Sequence, residues 1–362
     1  MARVTLDGVG LDFGDRSILS DVTLDVRDGE FFCVIGPSGC GKSMLLRLVA
    51  GLERPTRGRV YFDQHDVTAL APGRRDVAMV FQDPALYPHL SAAENIGFAA
   101  RLRRQDGDVD RRVHDVAEEL GAALVGMLDR MPDELSASFQ QRVALARAVV
   151  RHPNVFLLDE PLSTLDARIA TEAHSRIRRL LRGLGATTIY VTPDDREAFA
   201  LADRVAVMSA GRIEQVSTPQ GVCAWPVNRF VAEFVHQGVL NLYPARFDRA
   251  AERVVADAFA VPAGPGVCAR LWRTESFVLG LLPAQVRLEA PSEESAVVGV
   301  VDFVEPLLAQ RKKRVHVERL GGFHCVAEVG LDTAARAGDA VGVSFDLEQA
   351  LLFDDQTGRT IT

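Results

Sequence analysis

The chain has 362 residues, of which 48% are hydrophobic and 25% are charged, with 29 glycines and 17 prolines. This composition is that of an ordinary globular protein, and it excludes collagen, a coiled coil and wholesale disorder. At about 150 residues per domain, the length predicts two or three domains. The formal net charge of −8 argues against a protein that binds nucleic acid through bulk electrostatics. Nucleic acid is therefore not an expected partner.

The cysteines and the apolar segments indicate the cellular compartment. The five cysteines are scattered and form neither a CxxC pair nor a metal-binding spacing (Cys33, Cys40, Cys223, Cys268 and Cys325). We expect them to be reduced thiols of a cytosolic protein. The first residues lack the apolar core of a signal peptide, and no run of about 18 apolar residues follows. The sequence therefore predicts a chain that is neither exported nor membrane-spanning.

A glycine-rich loop carries the first chemical signal. A buried strand is predicted over residues 30–35, and it leads into Gly36-Pro-Ser-Gly-Cys-Gly-Lys-Ser43 and a helical pattern that starts at Met44. This is the pattern GxxxxGK[ST] between a strand and a helix. Its glycines allow the backbone N–H groups to surround a phosphate. Lys42 supplies a cation for the β- and γ-phosphates, and Ser43 supplies a hydroxyl for Mg²⁺. The sequence thus predicts a nucleotide-binding P-loop.

Two acidic residues end a second apolar strand, which is predicted over residues 155–158. Asp159 is placed to hold Mg²⁺ directly or through water, and Glu160 is a candidate general base for an attacking water. The alternative is a strand end that carries two solvated acids. The P-loop upstream favours the catalytic interpretation.

Five further segments follow the order of motifs in one protein family. They read LDFGDRSIL at 11–19, VFQDPALYPHL at 80–90, LSASFQQRVALAR at 135–147, LSTLDA at 162–167 and VTPDDREA at 191–198. This order resembles the ATP-binding subunits of ABC transporters, and within them the importer ATPases of the maltose and related-sugar type. The resemblance covers essentially the whole chain.

The resemblance implies a role for particular residues and for three partners. Phe13 would stack on adenine, and Gln82 would reach Mg²⁺ and the attacking water. The segment after Gln82, through Tyr87, would dock the permease subunits. A second ATPase subunit would face the first head to tail, so that Ser136 of one closes over the nucleotide of the other, and a solute-binding protein would act indirectly.

The implied site residues form three sets. The nucleotide would be contacted by Phe13, Gly36, Pro37, Ser38, Gly39, Cys40, Gly41, Lys42, Ser43, Met44, Ser136 and Asp166. Ser43, Gln82 and Asp159 would bind Mg²⁺, and Glu160, Gln82 and Lys42 would serve catalysis. The expected cofactors are accordingly ATP and Mg²⁺.

Two of three departures from the family pattern affect residues that would contact the nucleotide. Met44 replaces a hydroxyl residue, so one contact to the α-phosphate is lost, which costs about 1 kcal/mol of binding free energy. The signature, normally Leu-Ser-Gly-Gly-Gln, continues after Ser136 as Ala137, Ser138 and Phe139. Ser136 can still cap the helix, but the added Cβ atoms and the ring obstruct close backbone approach. We therefore expect a damaged contact across the dimer.

The third departure is Pro193, which stands where the family has the switch histidine. Proline has neither a side-chain donor nor an N–H, and loss of one preorganised donor slows such a reaction by about 10²–10³. Thr192 is expected to cap the following helix, with Pro193 at its first position. Hydrolysis should therefore be slow or conditional.

The region after residue 236 changes character. Short β-rich runs, including residues 267–272, 296–301, 314–318 and 341–345, are separated by turn residues. Such runs are typical of a small barrel. Residues 230–235 with 241–245, and residues 279–283, resemble the junction and first strands of the OB-like regulatory domain of sugar importers.

The combined prediction is an α/β P-loop core with a helical insert at about 88–152, forming an ATPase domain over residues 1–235, and an OB-like β-barrel over 236–362. The function would be ATP binding, with slow or conditional hydrolysis, that drives an importer for a sugar or related polar solute from the cytoplasmic face of the membrane. The alternative is a regulatory or structural subunit that binds nucleotide but hydrolyses little of it, beside an orthodox ATPase. Met44, Phe139 and Pro193 favour the alternative, whereas Gln82 and Glu160 favour the enzyme.

Overall fold

A computed structural model describes residues 2–102, 108–162, 167–292, 295–319 and 322–362, with the backbone alone at 167–174. The chain divides into two units, Met1–Gly221 and Val222–Thr362. The boundary predicted after residue 235 falls inside the second unit. Residues near Asn228 belong to that unit because Arg229 N donates to Gly358 O at 2.8 Å and Thr360 N donates to Val227 O at 3.0 Å.

Two sheets form the first unit, and its strands follow the chain as β1 Val4–Phe13, β2 Arg16–Val26, β3 Phe31–Ile35, β4 Arg57–Phe62, β5 His65–Asp66, β6 Val77–Val80, β7 Val155–Asp159, β8 Thr187–Thr192, β9 Arg204–Ser209 and β10 Arg212–Ser217. The smaller sheet is antiparallel, in the order β2-β1-β4-β5. The larger sheet has the order β10-β9-β3-β8-β7-β6, and only β10 runs antiparallel to its neighbour. The strands predicted at 30–35 and 155–158 are confirmed as β3 and β7, and every residue of both is buried.

The helices of this unit are α1 Lys42–Ala50, α2 Ala92–Leu102, α3 Val109–Glu119, α4 Ala122–Val125, α5 Ala137–Val149, α6 Ala167–Gly183 and α7 Asp195–Leu201. Helices α2 to α5 lie between β6 and β7, in the stretch where the sequence predicts a helical insert. Leu45, Leu46 and Val49 of α1 are fully buried in one core with Val34 and Leu157 of the larger sheet. The helix that follows the glycine-rich loop is therefore anchored on the sheet.

A buried arginine satisfies the carboxyl end of α1. Arg75 is 3% exposed, and its Nη1 donates to Leu48 O and Val49 O, both at 2.9 Å. Its Nε donates to Leu70 O and its Nη2 to Thr68 O, each at 3.0 Å. The last carbonyls of a helix have no partner within it, and a cation there also opposes the negative end of the helix dipole. Arg75 thus ties α1 to the connection between β5 and β6.

The second unit contains α9 Arg229–Val235 and α10 Pro265–Leu271, after α8 Pro219–Ala224 at the boundary, and the strands β11 Asn241–Asp248, β12 Arg253–Ala256, β13 Phe259–Pro262, β14 Ser276–Leu281, β15 Val286–Glu289, β16 Val297–Leu307, β17 Lys312–Arg319, β18 Phe323–Gly330, β19 Ala340–Phe345 and β20 Leu351–Asp354. They form two antiparallel five-stranded sheets, ordered β13-β12-β11-β14-β20 and β15-β19-β16-β17-β18. Strands β15 and β18, the two ends of the second sheet, also lie against each other. The β-rich character predicted for this region is confirmed.

One predicted β-rich run is wrong. Residues 267–272 belong to α10 and its carboxyl-terminal cap, not to a strand. Pro265 occupies a first-turn position of this helix, where its missing N–H costs nothing. Val267 and Leu271, four residues apart, lie on one helix face and are both fully buried. The proline and this spacing determined the structure here. Among the described residues, no helix is both long and apolar enough to cross a membrane.

We predict that Arg75→Met lowers the free energy of unfolding by about 3 kcal/mol, because several buried carbonyls lose their donor. The control Arg74→Met changes an exposed neighbour and should stay within about 0.5 kcal/mol of the wild type. Urea denaturation followed by circular dichroism measures both. Equal denaturation midpoints for the two variants would contradict the role assigned to Arg75.

Candidate nucleotide-binding site

Parallel pairing brings four chain segments to one edge of the larger sheet. Ile35 is in register with Thr192, Asp159 with Val191, and Val80 with Leu158. Because these strands are parallel, their carboxyl ends meet at the same edge, where ligands bind in open α/β sheets. The glycine-rich loop, the segment after Thr192, the acidic pair and the segment of Gln82 therefore adjoin one another in that order.

The glycine-rich loop needs its glycines for two different reasons. Gly36 is buried, and a Cβ on it would lie 2.2 Å from the carbonyl oxygen of Met208. Gly39 and Gly41 have φ of 79° and 110°, which favour glycine. Pro37, Ser38 and Gly39 are exposed at the tip of the loop. The loop is thus tightly packed at its base and open at its tip.

Lys42 lies under this loop, with 4% of its surface exposed. Its Nζ donates to Gly36 O at 2.8 Å and to Pro37 O at 3.0 Å. The ammonium group is therefore held inside the curve of the loop, where a phosphate would also be enclosed. Cys40 is buried, which raises the pKa of its thiol, and Met44 packs partly buried against the core.

Ser43 and Asp159 form a pair of oxygen donors beside the loop. The Ser43 hydroxyl donates to Asp159 Oδ1 at 2.9 Å, and Asp159 is 7% exposed at the end of β7. Burial raises the pKa of Asp159, while the Ser43 hydrogen bond and the Lys42 charge oppose this rise. A hydroxyl and a carboxylate are hard oxygen donors of the kind that Mg²⁺ takes. The part of the chain that the structure describes contains no cluster of three His, Cys, Asp or Glu side chains able to hold a metal.

Glu160 follows Asp159 in a left-handed backbone conformation, with φ of 45°. Its N–H donates to Val191 O at 2.9 Å. Burial raises the pKa of Glu160, the positive charge of Lys42 lowers it, and the negative charges of Asp159 and Glu197 raise it. A carboxylate with a raised pKa beside a phosphate site suits the role of a general base.

Gln82 is exposed two residues after the end of β6, and side chains of the helical insert hold the segment around it. Gln141 Nε2 donates to Phe81 O at 3.3 Å, and the Arg147 guanidinium donates to Pro84 O at 3.1 Å and to Ala85 O at 3.0 Å. Gln141 and Arg147 both lie on α5. Helix α5, which begins at the signature segment, therefore holds the segment after β6 through side-chain hydrogen bonds.

The same segment is held a few residues later by Asn95, which is fully buried on α2. Asn95 accepts from Tyr87 N at 2.8 Å and donates to Tyr87 O, Leu90 O and Ser91 O at 2.8–3.1 Å. The Tyr87 ring packs against Phe98 with centroids 4.7 Å apart. Our sequence reasoning missed Asn95, Gln141 and Arg147. The available signal for Asn95 was a polar residue between Ala92 and Ile96 on a buried helix face.

Ser136 caps α5, as expected from the sequence. Its Oγ accepts from Phe139 N at 3.4 Å and lies 2.9 Å from the Ser138 hydroxyl. Ala137 is exposed, and the Arg142 guanidinium lies over the Phe139 ring, 5.4 Å from its centroid. The altered signature thus retains a capped helix start with two hydroxyls.

Phe13 lies apart from the larger sheet, at the end of β1, and is 49% exposed. It pairs with Arg16 across the tip of a hairpin, and Leu19 on the same hairpin lies 3.0 Å from where a Cβ on Gly41 would be. The Phe13 ring is therefore on the hairpin that adjoins the glycine-rich loop. Asp166 lies outside the described residues.

At Pro193 the structure contradicts the prediction that Thr192 caps the following helix. The cap of α7 is Asp194, whose side chain accepts from Arg196 N and Glu197 N, and not Thr192. The Thr192 hydroxyl instead accepts from Asp194 N at 3.1 Å and donates to Glu197. Pro193 is exposed and precedes the cap. A cap one residue after the proline was missed because both Thr192 and Asp194 are good capping residues.

We predict that Gly36→Ala destabilises the protein by about 3 kcal/mol, because the new methyl group overlaps a backbone carbonyl that cannot rotate away. Gly39→Ala is the matched control. Its Cβ would have no atom within 4 Å, so only the left-handed conformation opposes it, at about 1 kcal/mol. Urea unfolding of both variants measures the difference, and equal losses of stability would contradict the packing described for Gly36.

Comparison with known proteins identifies the family. The family model described as "ABC transporter" matches residues 19–163. The chain is 42% identical over 362 residues to the sn-glycerol-3-phosphate import ATP-binding protein UgpC of Rhizobium johnstonii, covering 100% of this chain and 96% of the relative. It is 40% identical over 384 residues to the trehalose/maltose import ATP-binding protein MalK of Thermococcus litoralis, covering 100% of both chains.

A solved structure supports the same assignment. The dimeric post-hydrolysis state of the ATP-binding cassette MJ0796, bound to ADP and Pi, is similar with a TM-score of 0.54 and 28% identity, covering 60% of this chain and 98% of that chain. The full-length identity to these relatives, the glycine-rich loop and the acidic pair all indicate the same family. The chain therefore belongs to the ATP-binding proteins of the ABC transporter family.

Proposed function

We propose that this chain is the ATPase subunit of an importer for a sugar or a related polar solute, and that it hydrolyses ATP slowly. The observation that carries the proposal is the meeting of the glycine-rich loop, the acidic pair, Gln82 and the segment of Thr192 at one edge of the parallel sheet. The solute class is supported by relatives named for the import of sn-glycerol 3-phosphate, of trehalose and maltose, and of xylose and arabinose.

ATP would occupy the loop through its phosphates. Lys42 would exchange its two loop carbonyls for the β- and γ-phosphate oxygens, because a charged acceptor binds an ammonium group more strongly than a carbonyl does. Phe13, exposed beside the loop, would stack on adenine. The residues proposed to contact the triphosphate are Gly36, Pro37, Ser38, Gly39, Cys40, Gly41, Lys42, Ser43 and Met44.

Hydrolysis would use the acidic pair. Ser43 and Asp159, with Gln82, would hold Mg²⁺, which supplies charge neutralisation at the phosphates when bound. Glu160 would take the proton of the attacking water, and its raised pKa improves it as a base near neutral pH. Pro193 offers no donor to the water or the γ-phosphate, so we expect a low rate.

The partners follow from the surfaces on either side of this site. Ser136 and Asp166 would face the nucleotide of a second ATPase subunit, and dimeric solved relatives support this arrangement. The segment after Gln82 would dock the permease, with Tyr87 39% exposed on it. A solute-binding protein would act through the permease, and the chain would lie on the cytoplasmic face of the membrane.

The proposal is tested by ATP binding and phosphate release, measured on the purified chain with Mg-ATP. We predict that the wild type binds ATP and releases phosphate slowly. Glu160→Gln should bind ATP equally well and release none, because the amide cannot accept the proton. If the wild type binds ATP but has no turnover, the chain is instead a nucleotide-binding regulatory subunit.

A second prediction concerns the switch position. Pro193→His should raise the rate of phosphate release by about 10²–10³, because it restores a preorganised donor. Pro193→Ala restores the backbone N–H but adds no side-chain donor, so it isolates the effect of the imidazole and serves as the control, with an unchanged rate expected. Equal rates for all three proteins would show that the missing histidine does not limit turnover.

A further inference from the structure

A buried carboxylate near the acidic pair has so far entered only through its charge, which raises the pKa of Glu160. Glu197 on α7 is 9% exposed. Its carboxylate accepts hydrogen bonds from the Tyr190 and Thr192 hydroxyls, and both donors are almost fully buried on β8. Alternate residues of a strand point to one face, so Glu197 holds the two neighbours of Val191 on the same side of the sheet.

Val191 is the residue that holds Glu160. Its carbonyl accepts the Glu160 N–H at 2.9 Å, next to the pairing of Val191 with Asp159. Glu160 has φ of 45°, a conformation that a residue other than glycine keeps only when its surroundings hold it. The direction of the Val191 carbonyl therefore governs where the backbone of Glu160 lies and where its side chain starts.

The hydroxyl of Thr192 has a second contact, which connects these hydrogen bonds to the start of α7. It accepts from Asp194 N at 3.1 Å, so the end of β8, the cap of α7 and Glu197 are joined by a single side chain. Pro193 lies between these contacts and adds no donor of its own. A continuous series of contacts therefore links the Glu197 carboxylate, through β8, to the backbone of Glu160.

We propose that Glu197, through Thr192 and Tyr190, is a positioning residue for Glu160. The inference depends on the proposed function, since it assumes that Glu160 is the general base. Misplacement of a reacting group by about 1 Å can cost about 10²-fold in rate while leaving substrate binding intact. Loss of the hydrogen bonds between Glu197, Thr192 and Tyr190 should therefore lower kcat and leave KM and the affinity for ATP unchanged.

Thr192→Val is the test variant, because valine preserves the shape of threonine and removes its hydroxyl. Thr192→Ser restores the hydroxyl, Glu197→Gln removes the central charge, and Glu160→Gln is the reference. Phosphate release over a range of ATP concentrations, ATP binding and urea unfolding are measured for the full chain. We expect Thr192→Val to lower kcat by about tenfold or more with unchanged KM, Glu197→Gln to do the same, and Thr192→Ser to recover the wild-type kcat.

The outcomes separate this inference from the proposed function. A wild-type kcat in Thr192→Val, beside an inactive Glu160→Gln, overturns the positioning role alone. A fall in kcat matched by an equal loss of ATP binding, or one that Thr192→Ser does not repair, also overturns it, because either result indicates general disruption. Turnover by Glu160→Gln at the wild-type rate, or none in the wild type, overturns the proposed function and this inference with it. Should Glu197→Gln fail to fold, the threonine pair still decides the question.

Discussion

The parallel pairing of β3, β8, β7 and β6 is the constraint on which the rest of the site depends. Parallel strands place their carboxyl ends at one edge, so residues distant in sequence, such as Lys42, Asp159 and Thr192, adjoin one another without any long side chain reaching across the fold. Strands β3, β7 and β8 are buried at every residue, so both of their faces are packed. The chemistry is therefore located by backbone pairing and adjusted by a few side-chain contacts.

A second group of contacts connects this edge to the helical insert. Arg147 and Gln141 of α5 hold carbonyls of the segment after β6, and Asn95 of α2 holds Tyr87, Leu90 and Ser91. These side chains bind backbone groups of a segment without regular structure, and among those groups Ser91 O also accepts from Asn95 N at 2.9 Å. The segment of Gln82 is consequently held by side-chain hydrogen bonds, although it has no regular structure itself.

The fold accommodates the three departures from the family pattern, and their expected cost lies in contacts to the nucleotide. Met44 packs against the core, Ser136 still caps α5, and Pro193 precedes a well-capped α7. None of them strains the fold in the described part of the chain. We propose that their effects fall instead on bound nucleotide, since each would remove a donor or limit backbone approach where phosphate oxygens would lie. We therefore expect a stable protein with a weakened active site.

The sequence by itself determined the loop, the strands at 30–35 and 155–158, the cap at Ser136 and the family, because each depends on residues close together in the chain or on a characteristic spacing. Only the tertiary structure decided the left-handed conformation of Glu160, the carbonyls that hold Lys42, the buried Glu197 and the contacts of Asn95 and Arg147. Asp194 as the cap of α7 and α10 in place of a strand belong to neither group, because local signals for both were present at Asp194 and Pro265. The features that only the tertiary structure decided depend on which distant groups become buried together, and a local pattern carries no information about those partners.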